Sequence, residues 1–311
     1  MASVRKIGLA LDADYLVFSA LSAAEVETDW GDDQWTLICA HAQANRALEA
    51  RVQFFKDEIK AKFKGGKCPV ECIFVFSDPD SSANWRLKLL ETYKFNRKLE
   101  GKRKPTGYSE FVKRVVNTPE EFGGVDSIVG QGNEADDVCA TLATAPEEHG
   151  YDMIIPVSVD KDFKTIPCYF FHLKMDKTPH EILHIDLESA DYWHLYQGMK
   201  GDITDGFAGI KGVGEQVDGQ CIHQWLRNPT YLEQYEHEFK TGARKGTTEL
   251  RWRSVKPEDH TYSLWDCIVS VGSKAGMTEA EVLIGFQMAR LTRYGEPEVW
   301  TPELSENLLG S

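Results

Sequence analysis

The sequence predicts an α/β fold: a mostly parallel sheet flanked by helices, followed by a helical second part. Three observations predict it. Three continuous apolar runs of strand length each close on carboxylates, "KIGLALDAD", "ECIFVFSDPD" and "MIIPVSVDKD". Segments of helical period separate those runs, as the crossovers of a parallel sheet require. A glycine-rich turn, "KGDITDGFAGIKGVGE" at 200–215, then leads to a C-terminal stretch that reads as helices.

The first run passes through Ile7, Leu9 and Leu11 into Asp12 and Asp14. Ala44, Leu48, Val52, Phe55 and Ile59 keep one face of a helical wheel, which predicts a single amphipathic helix over 34–63. The second run, Ile73 to Phe76, reaches Asp78 and Asp80; the third, Met153 to Val159, reaches Asp160 and Asp162. "NEADDVCATLATA" starts a helix between them, with Asn133 as its cap. On that helix Glu134 and Asp137 share a face and Asp136 points elsewhere. Segment 239–260 is basic and turn-rich, and reads either as a mobile loop or as a tether. Thr278 and Glu281 form a capping box before the last apolar helix.

The chain has 311 residues, enough for two domains or one large domain with an appendage. At 42% apolar and 27% charged it has the composition of an ordinary globular protein. No segment approaches the ~20 apolar residues of a membrane span, and no signal-peptide pattern is expected. Seven cysteines lack paired zinc spacing, which points to reduced thiols in a cytoplasm-like compartment. The net charge of −14 argues against a nucleic-acid partner unless the carboxylates are gathered at a metal site and the bases elsewhere.

Both conditions are met in the sequence. Ligands of open α/β sheets bind beyond the carboxyl ends of the strands, so the acidic tips converge on one edge. Asp12, Asp78, Glu134, Asp136, Asp137, Asp160, Asp162, Asp202 and Asp205 are nine candidate carboxylates. Packed without cations they would raise one another's pKa; all-oxygen sets of this kind select Mg²⁺ or Mn²⁺. Two such ions activate water and stabilise the leaving oxygen of a phosphodiester. The complement is "NWRLKLLETYKFNRKLEGKRKP", where residues 86–104 carry a local balance of +6. Trp85, Tyr93 and Phe95 offer ring faces to unstacked bases, and Arg86, Lys98, Lys102, Arg103 and Lys104 offer charge. The glycine turn fits neither a Walker loop nor a dinucleotide fingerprint. It reads either as an ordinary helix–loop–helix turn or as a hairpin whose bare amides, with those of the next helix's N-terminus, approach one strand. Ile210, Lys211, Gly212, Val213 and Gly214 would make that contact, with Lys200 ahead of them.

The order Asp12, Asp78, "YKFNR", "EADD", "VDKD" and "GDITDGFAGIKGVG" resembles the flap endonuclease or 5′-nuclease family. "SADYWHLYQGMKGDITDG" and "LWDCIVSVGSKAGMTE" extend the likeness to the exonucleases of T-seven-like bacteriophages over nearly the whole chain. The resemblance implies a PIN-like nuclease domain at 1–198, with a basic arm at 84–108. A helical domain at 199–311 would follow, with a helix–hairpin–helix (helix-3-turn-helix) at 198–226. It implies that Asp12, Asp78, Glu134 and Asp136 hold one ion, with Asp137 nearby. Asp160, Asp162 and Asp205 would hold the second, supported by Asp202. Lys94 and Arg97 match the family's basic pair that steers the scissile phosphate. The hairpin would bind the duplex backbone, with K⁺ held by its carbonyls. Phe95 stands where the family commonly has glycine. The implied activity is 5′→3′ hydrolysis of duplex DNA in phage replication and recombination, in the host cytoplasm. Flaps, gaps and RNA–DNA hybrids are further expected substrates.

Two other readings compete. "LDADYLV" resembles the D-x-D-x-[TV] motif of haloacid-dehalogenase phosphatases, but Leu16 stands where Thr or Val belongs. A non-catalytic DNA-junction binder would need no intact set of carboxylates. An aspartyl-phosphate on Asp12 would mark the first. Mg²⁺ without cleavage would mark the second.

Overall fold

The first strand, β1 (Ile7–Asp12), is buried from Ile7 to Leu11 and runs straight into helix α1 (Ala13–Ala23). A strand buried on both faces needs a helical layer on each. The computed structural model describes residues 6–63, 68–99, 101, 103–175 and 178–305. A hairpin of β2 (Glu25–Gly31) and β3 (Gln34–Cys39) comes next, then the long helix α2 (His41–Lys62). β4 (Val70–Phe76) follows, then two short helices, α3 (Arg86–Leu89) and α4 (Phe95–Leu99), and α5 (Tyr108–Asn117). β5 (Asp126–Val129), α6 (Ala135–Thr144), β6 (Met153–Ser158), β7 (Cys168–His172) and β8 (Glu181–Ile185) complete this part.

The central sheet has six strands in the order β5-β4-β1-β6-β7-β8. All neighbours are parallel except β8, which returns antiparallel to β7. Leu9, Leu11, Phe74 and Val157 join α1, α2 and α5 in one core cluster. The alternate residues Ala10, Val75 and Ile154 are equally buried, and α6 packs on β1, β4 and β6. The expected α/β class with a parallel sheet flanked by helices is therefore present.

The chain divides into two compact units between Asp186 and Leu187, ahead of the 198/199 boundary expected. The reason is α7 (Leu187–Lys200), whose Leu195 and Met199 belong to the second core. Residues 89–96 count with the second unit and residues 291–295 with the first. After α7 come four two-residue strands: β9 (Gly201–Asp202), β10 (Phe207–Ala208), β11 (Gln216–Val217) and β12 (Gln220–Cys221). Helix α8 (Ile222–Arg227), strands β13 (Tyr231–Glu238) and β14 (Thr248–Val255), and helices α9 (Leu264–Lys274) and α10 (Glu279–Ala289) follow. Trp225, Trp265, Phe286 and Trp300 fill this core.

Three sequence expectations fail here. The helix expected over 34–63 starts only at His41, because Gln34–Cys39 pairs with β2 across a turn at Asp32 and Asp33, both at positive φ. Segment 239–260 is neither loop nor tether: most of it is β14 and the turn that pairs it with β13. Asn133 does not cap α6; Glu134 occupies the N-cap, and the Asn133 carbonyl accepts from the Asp78 N–H instead. The capping box at Thr278 and Glu281 is formed. All seven cysteines are free. Among the described residues no helix is long and apolar enough to cross a membrane.

Candidate active site

β4, β1 and β6 lie side by side and parallel, so their carboxyl ends share one rim of the sheet. The residues at those ends are Asp12 and Asp14, then Ser77 and Asp78, then Ser158, Asp160 and Asp162. The N-terminus of α6 adds Glu134, Asp136 and Asp137, whose carboxylate oxygens lie within 4.8 Å of one another. Asp136 thus does not point away from its neighbours as the helical wheel suggested, because its oxygen also accepts the Asp137 N–H at 2.8 Å.

Two serines knit the rim together. Ser158 Oγ donates to Asp12 at 2.8 Å and accepts the Asp160 N–H at 3.1 Å. Ser77 Oγ accepts the Ala135 N–H at 3.0 Å, while its own N–H donates to Asp14 at 2.9 Å. Neither serine was singled out from the sequence, although the pattern Ser-then-Asp in "FSD" and "SVD" marks both. Asp78 accepts the Gly132 N–H at 2.7 Å, and Asp160 accepts the Asp162 N–H at 2.9 Å. Asp80 turns away to cap the Ser81–Ala83 turn through Ser82, which holds its carboxyl below the usual range. Asp14 is bound to Ser77 and to the Tyr108 hydroxyl, so it braces the rim.

Burial, with the charges of Asp14 and Asp160 beside it, pushes Asp12 up to about 6 despite the Ser158 hydrogen bond that opposes this. Burial and then the charges of Asp12, Asp136 and Asp14 also push the Cys139 thiol up. Tyr108 is raised by burial and by Asp14.

Arg86 corrects one expectation. It is only 2% exposed, and its guanidinium bonds both oxygens of Asp137, at 2.5 and 2.8 Å. Glu134 lies 3.6 Å away. A cation so placed reaches no DNA phosphate; it fastens α3 to α6, and Asp137 is engaged in holding it. Trp85 and Tyr93, expected to stack on bases, are buried at 2% and 5%, and the Trp85 face is covered by Arg86 at 4.4 Å. Of the three rings only Phe95 is exposed. Arg103 is likewise committed: it forks onto Glu25 at 2.6 and 2.9 Å, and that bond, ahead of the Thr106 N–H, draws the Glu25 carboxyl down to about 2. Lys104 stays exposed over the Tyr108 ring. Arg97 and Lys98 lie on α4, with side chains outside the described set, and Lys102 lies outside the described residues.

In the second unit, Lys94 adopts φ 52, and its N–H donates to the Asp205 carbonyl at 2.9 Å. The left-handed residue is Lys94 and not Phe95, so this arm needs no glycine at 95. Asp202 pairs with Phe207 across β9 and β10 and accepts the Thr204 N–H at 2.8 Å. Asp205 is 9% exposed. Lys200 is held by Glu215 and the Tyr196 hydroxyl. The glycine turn differs from a bare set of amides. Ile210 is 2% exposed and its N–H donates to Met199, which removes it as a DNA contact. The Val213 N–H donates to Ile210, and the Lys211 N–H faces the Met277 sulfur at 3.3 Å. Lys211, Gly212 and Gly214 remain exposed, with Gly212 at φ 78 where the turn requires it. The next helix does not follow directly either, because the β11–β12 hairpin intervenes before α8.

Residues 40–176 match the family described as 5′-3′ exonuclease, N-terminal resolvase-like domain. The exodeoxyribonuclease of Enterobacteria phage T3 is 39% identical over 303 residues, covering 94% of this chain and 92% of the relative. The exonuclease of Escherichia phage T7 is 39% identical over 290 residues, covering 93% and 89%. The flap endonuclease Xni of Vibrio parahaemolyticus is 30% identical over 166 residues, covering 50% and 60%. With acids on three adjacent strand ends and a relative matched along almost its full length, the chain belongs to the 5′→3′ exonuclease family.

Proposed function

We propose that the chain hydrolyses the phosphodiesters of duplex DNA in the 5′→3′ direction with divalent cations held at the acidic rim. The observation that carries this reading is the gathering of carboxylates on three adjacent parallel strand ends and at the start of α6, where oxygens of Glu134, Asp136 and Asp137 lie within 4.8 Å of one another. The ligand atoms that Glu134, Asp136 and Asp137 bring together are all carboxylate oxygens, which suits Mg²⁺ or Mn²⁺. Asp12, Asp78, Glu134 and Asp136 are the residues that would hold one ion, and Asp160 and Asp162 those that would begin the site for a second. When bound, such ions supply a lowered pKa for water and charge for the departing oxygen.

The chain's own residues do the rest. The Ser158 hydroxyl holds the Asp12 carboxylate by a hydrogen bond, so that group need not reorganise when a cation arrives. Lys94 and Arg97 are assigned to the scissile phosphate, where fixed cations stabilise developing negative charge. Exposed Lys211 is assigned to the duplex backbone through its ammonium, and Gly212 and Gly214 through amides that can approach phosphate closely. Flaps and RNA–DNA hybrids extend the same proposal to other 5′-ended substrates.

Duplex labelled at the 5′ end is expected to release labelled short products at once in Mg²⁺ and none in EDTA. The same duplex labelled at the 3′ end should shorten progressively. Release from 3′ ends, or cleavage undiminished by EDTA, would overturn the reading. Omitting the cation entirely should lower the rate by about 10³-fold or more.

A further inference from the structure

We propose that the turn 203–206 and the arm segment 92–96 form a clasp that sets the position of the Lys94 ammonium, with Gly206 and Asn96 as its positioning residues. The inference deepens the assignment of Lys94 to the scissile phosphate and rests on that reading.

Three observations within the second unit carry it. The Lys94 N–H donates to the Asp205 carbonyl at 2.9 Å, and the Asn96 side-chain amide reaches the Ile203 carbonyl at 3.5 Å. The turn therefore engages the arm on both sides of Phe95. Gly206 closes the turn, its N–H donating to Ile203 at 3.2 Å, with φ +80. A Cβ at Gly206 would stand 3.0 Å from the Thr92 carbonyl oxygen and 3.2 Å from the Lys94 nitrogen, both main-chain atoms. Glycine is thus needed twice here, for its conformation and for the close approach of the arm.

The backbone of Lys94 gives the clasp its purpose. A lysine at φ 52 lies in the left-handed region, where a side chain is disfavoured. Tight turns surround it, Tyr93 N–H to Leu90 and Phe95 N–H to Thr92, both at 3.0 Å. The hydrogen bond to Asp205 selects this conformation over the extended ones open to an arm residue. The direction in which the Lys94 side chain leaves the backbone follows from that selection. Loosening the turn would leave Lys94 present but misdirected, and a small misplacement of a charge-stabilising group is costly to turnover.

The test is a cycle of kcat and KM on 5′-labelled duplex in Mg²⁺, with Gly206→Ala and Asn96→Ala each made in the Lys94 and the Lys94→Ala backgrounds. With Lys94 present, Gly206→Ala should lower kcat about tenfold or more and shift KM by less than about twofold. Asn96→Ala, on an exposed side chain, should lower kcat by about two- to fivefold. In the Lys94→Ala background neither should lower kcat by more than about twofold further. Equal losses in both backgrounds would mean a general structural role and overturn the inference, as would wild-type kcat in Gly206→Ala. Should Gly206→Ala not fold, the Asn96→Ala pair decides alone. A wild-type rate in Lys94→Ala by itself would instead remove the assignment of Lys94 to the phosphate.

Discussion

Asp12→Asn is expected to lose turnover by about 10³-fold or more while making the metal-free protein more stable at neutral pH. The two effects have one cause. The folded-state pKa of Asp12 is about 6, against 3.8 for an aspartate free in water. A carboxyl raised in this way binds its proton more tightly in the folded than in the unfolded chain. Its contribution to stability is greatest below pH 3.8 and declines as pH rises to about 6, above which the charged form is carried at full cost. That cost is on the order of 3 kcal/mol at pH 7.5. Asparagine removes the charge, and its carbonyl can still accept from Ser158. Melting in EDTA should therefore show Asp12→Asn above the wild type at pH 7.5 and level with it at pH 4. Adding Mg²⁺ or Mn²⁺ at pH 7.5 should raise the wild-type Tm and leave the variant nearly unmoved. A variant less stable than wild type at pH 7.5 would mean that Asp12 is not the strained group described.

Arg86→Met is expected to destabilise the fold by about 3–5 kcal/mol, because it leaves Asp137 buried without its partner. Asp137 is 1% exposed, so water cannot replace the guanidinium. Thermal melting should show a fall of roughly 10 °C. The double variant Arg86→Met, Asp137→Leu should recover most of the loss, since apolar residues of similar size commonly replace a buried pair without penalty. The salt dependence of duplex affinity measures the other half of the assignment. If Arg86 braces α3 against α6 and touches no phosphate, the slope against salt should not change. A slope reduced by about one, with stability intact, would return Arg86 to the DNA interface.

The readable and unreadable parts of this chain divide along a physical line. β1, β4 and β6 were legible because strands buried on both faces must be continuous apolar runs, and acids at their ends are set by the sheet. The start of α2 was not legible. Gln34–Cys39 continues the amphipathic pattern closely enough for a helix, and only the turn at Asp32 and Asp33 reveals the pairing with β2. β14 was hidden in the same way: "TELRWRSV" is charged because a two-stranded ribbon leaves much of each strand exposed, unlike a sheet between helices. Within the arm, charge alone could not separate Lys104, which faces solvent, from Arg86, which is buried on Asp137. Sequence records the charge, whereas tertiary pairing decides its use. The hairpin's glycines were legible as a close-approach turn, but the donation of the Ile210 amide to Met199 depends on a helix end that periodicity does not locate.

The return of residues 291–295 to the first unit has a practical consequence for anyone dissecting the chain. Arg293 donates to the Thr165 carbonyl at 2.8 Å, and the Tyr294 N–H donates to Thr144 at 2.9 Å, in the segments that follow Asp162 and close α6. A fragment truncated at the apparent boundary after Asp186 would therefore lack part of its own interior. The first unit of this protein is a discontinuous module, and a clean excision would have to carry a strip of the far C-terminal sequence along with it.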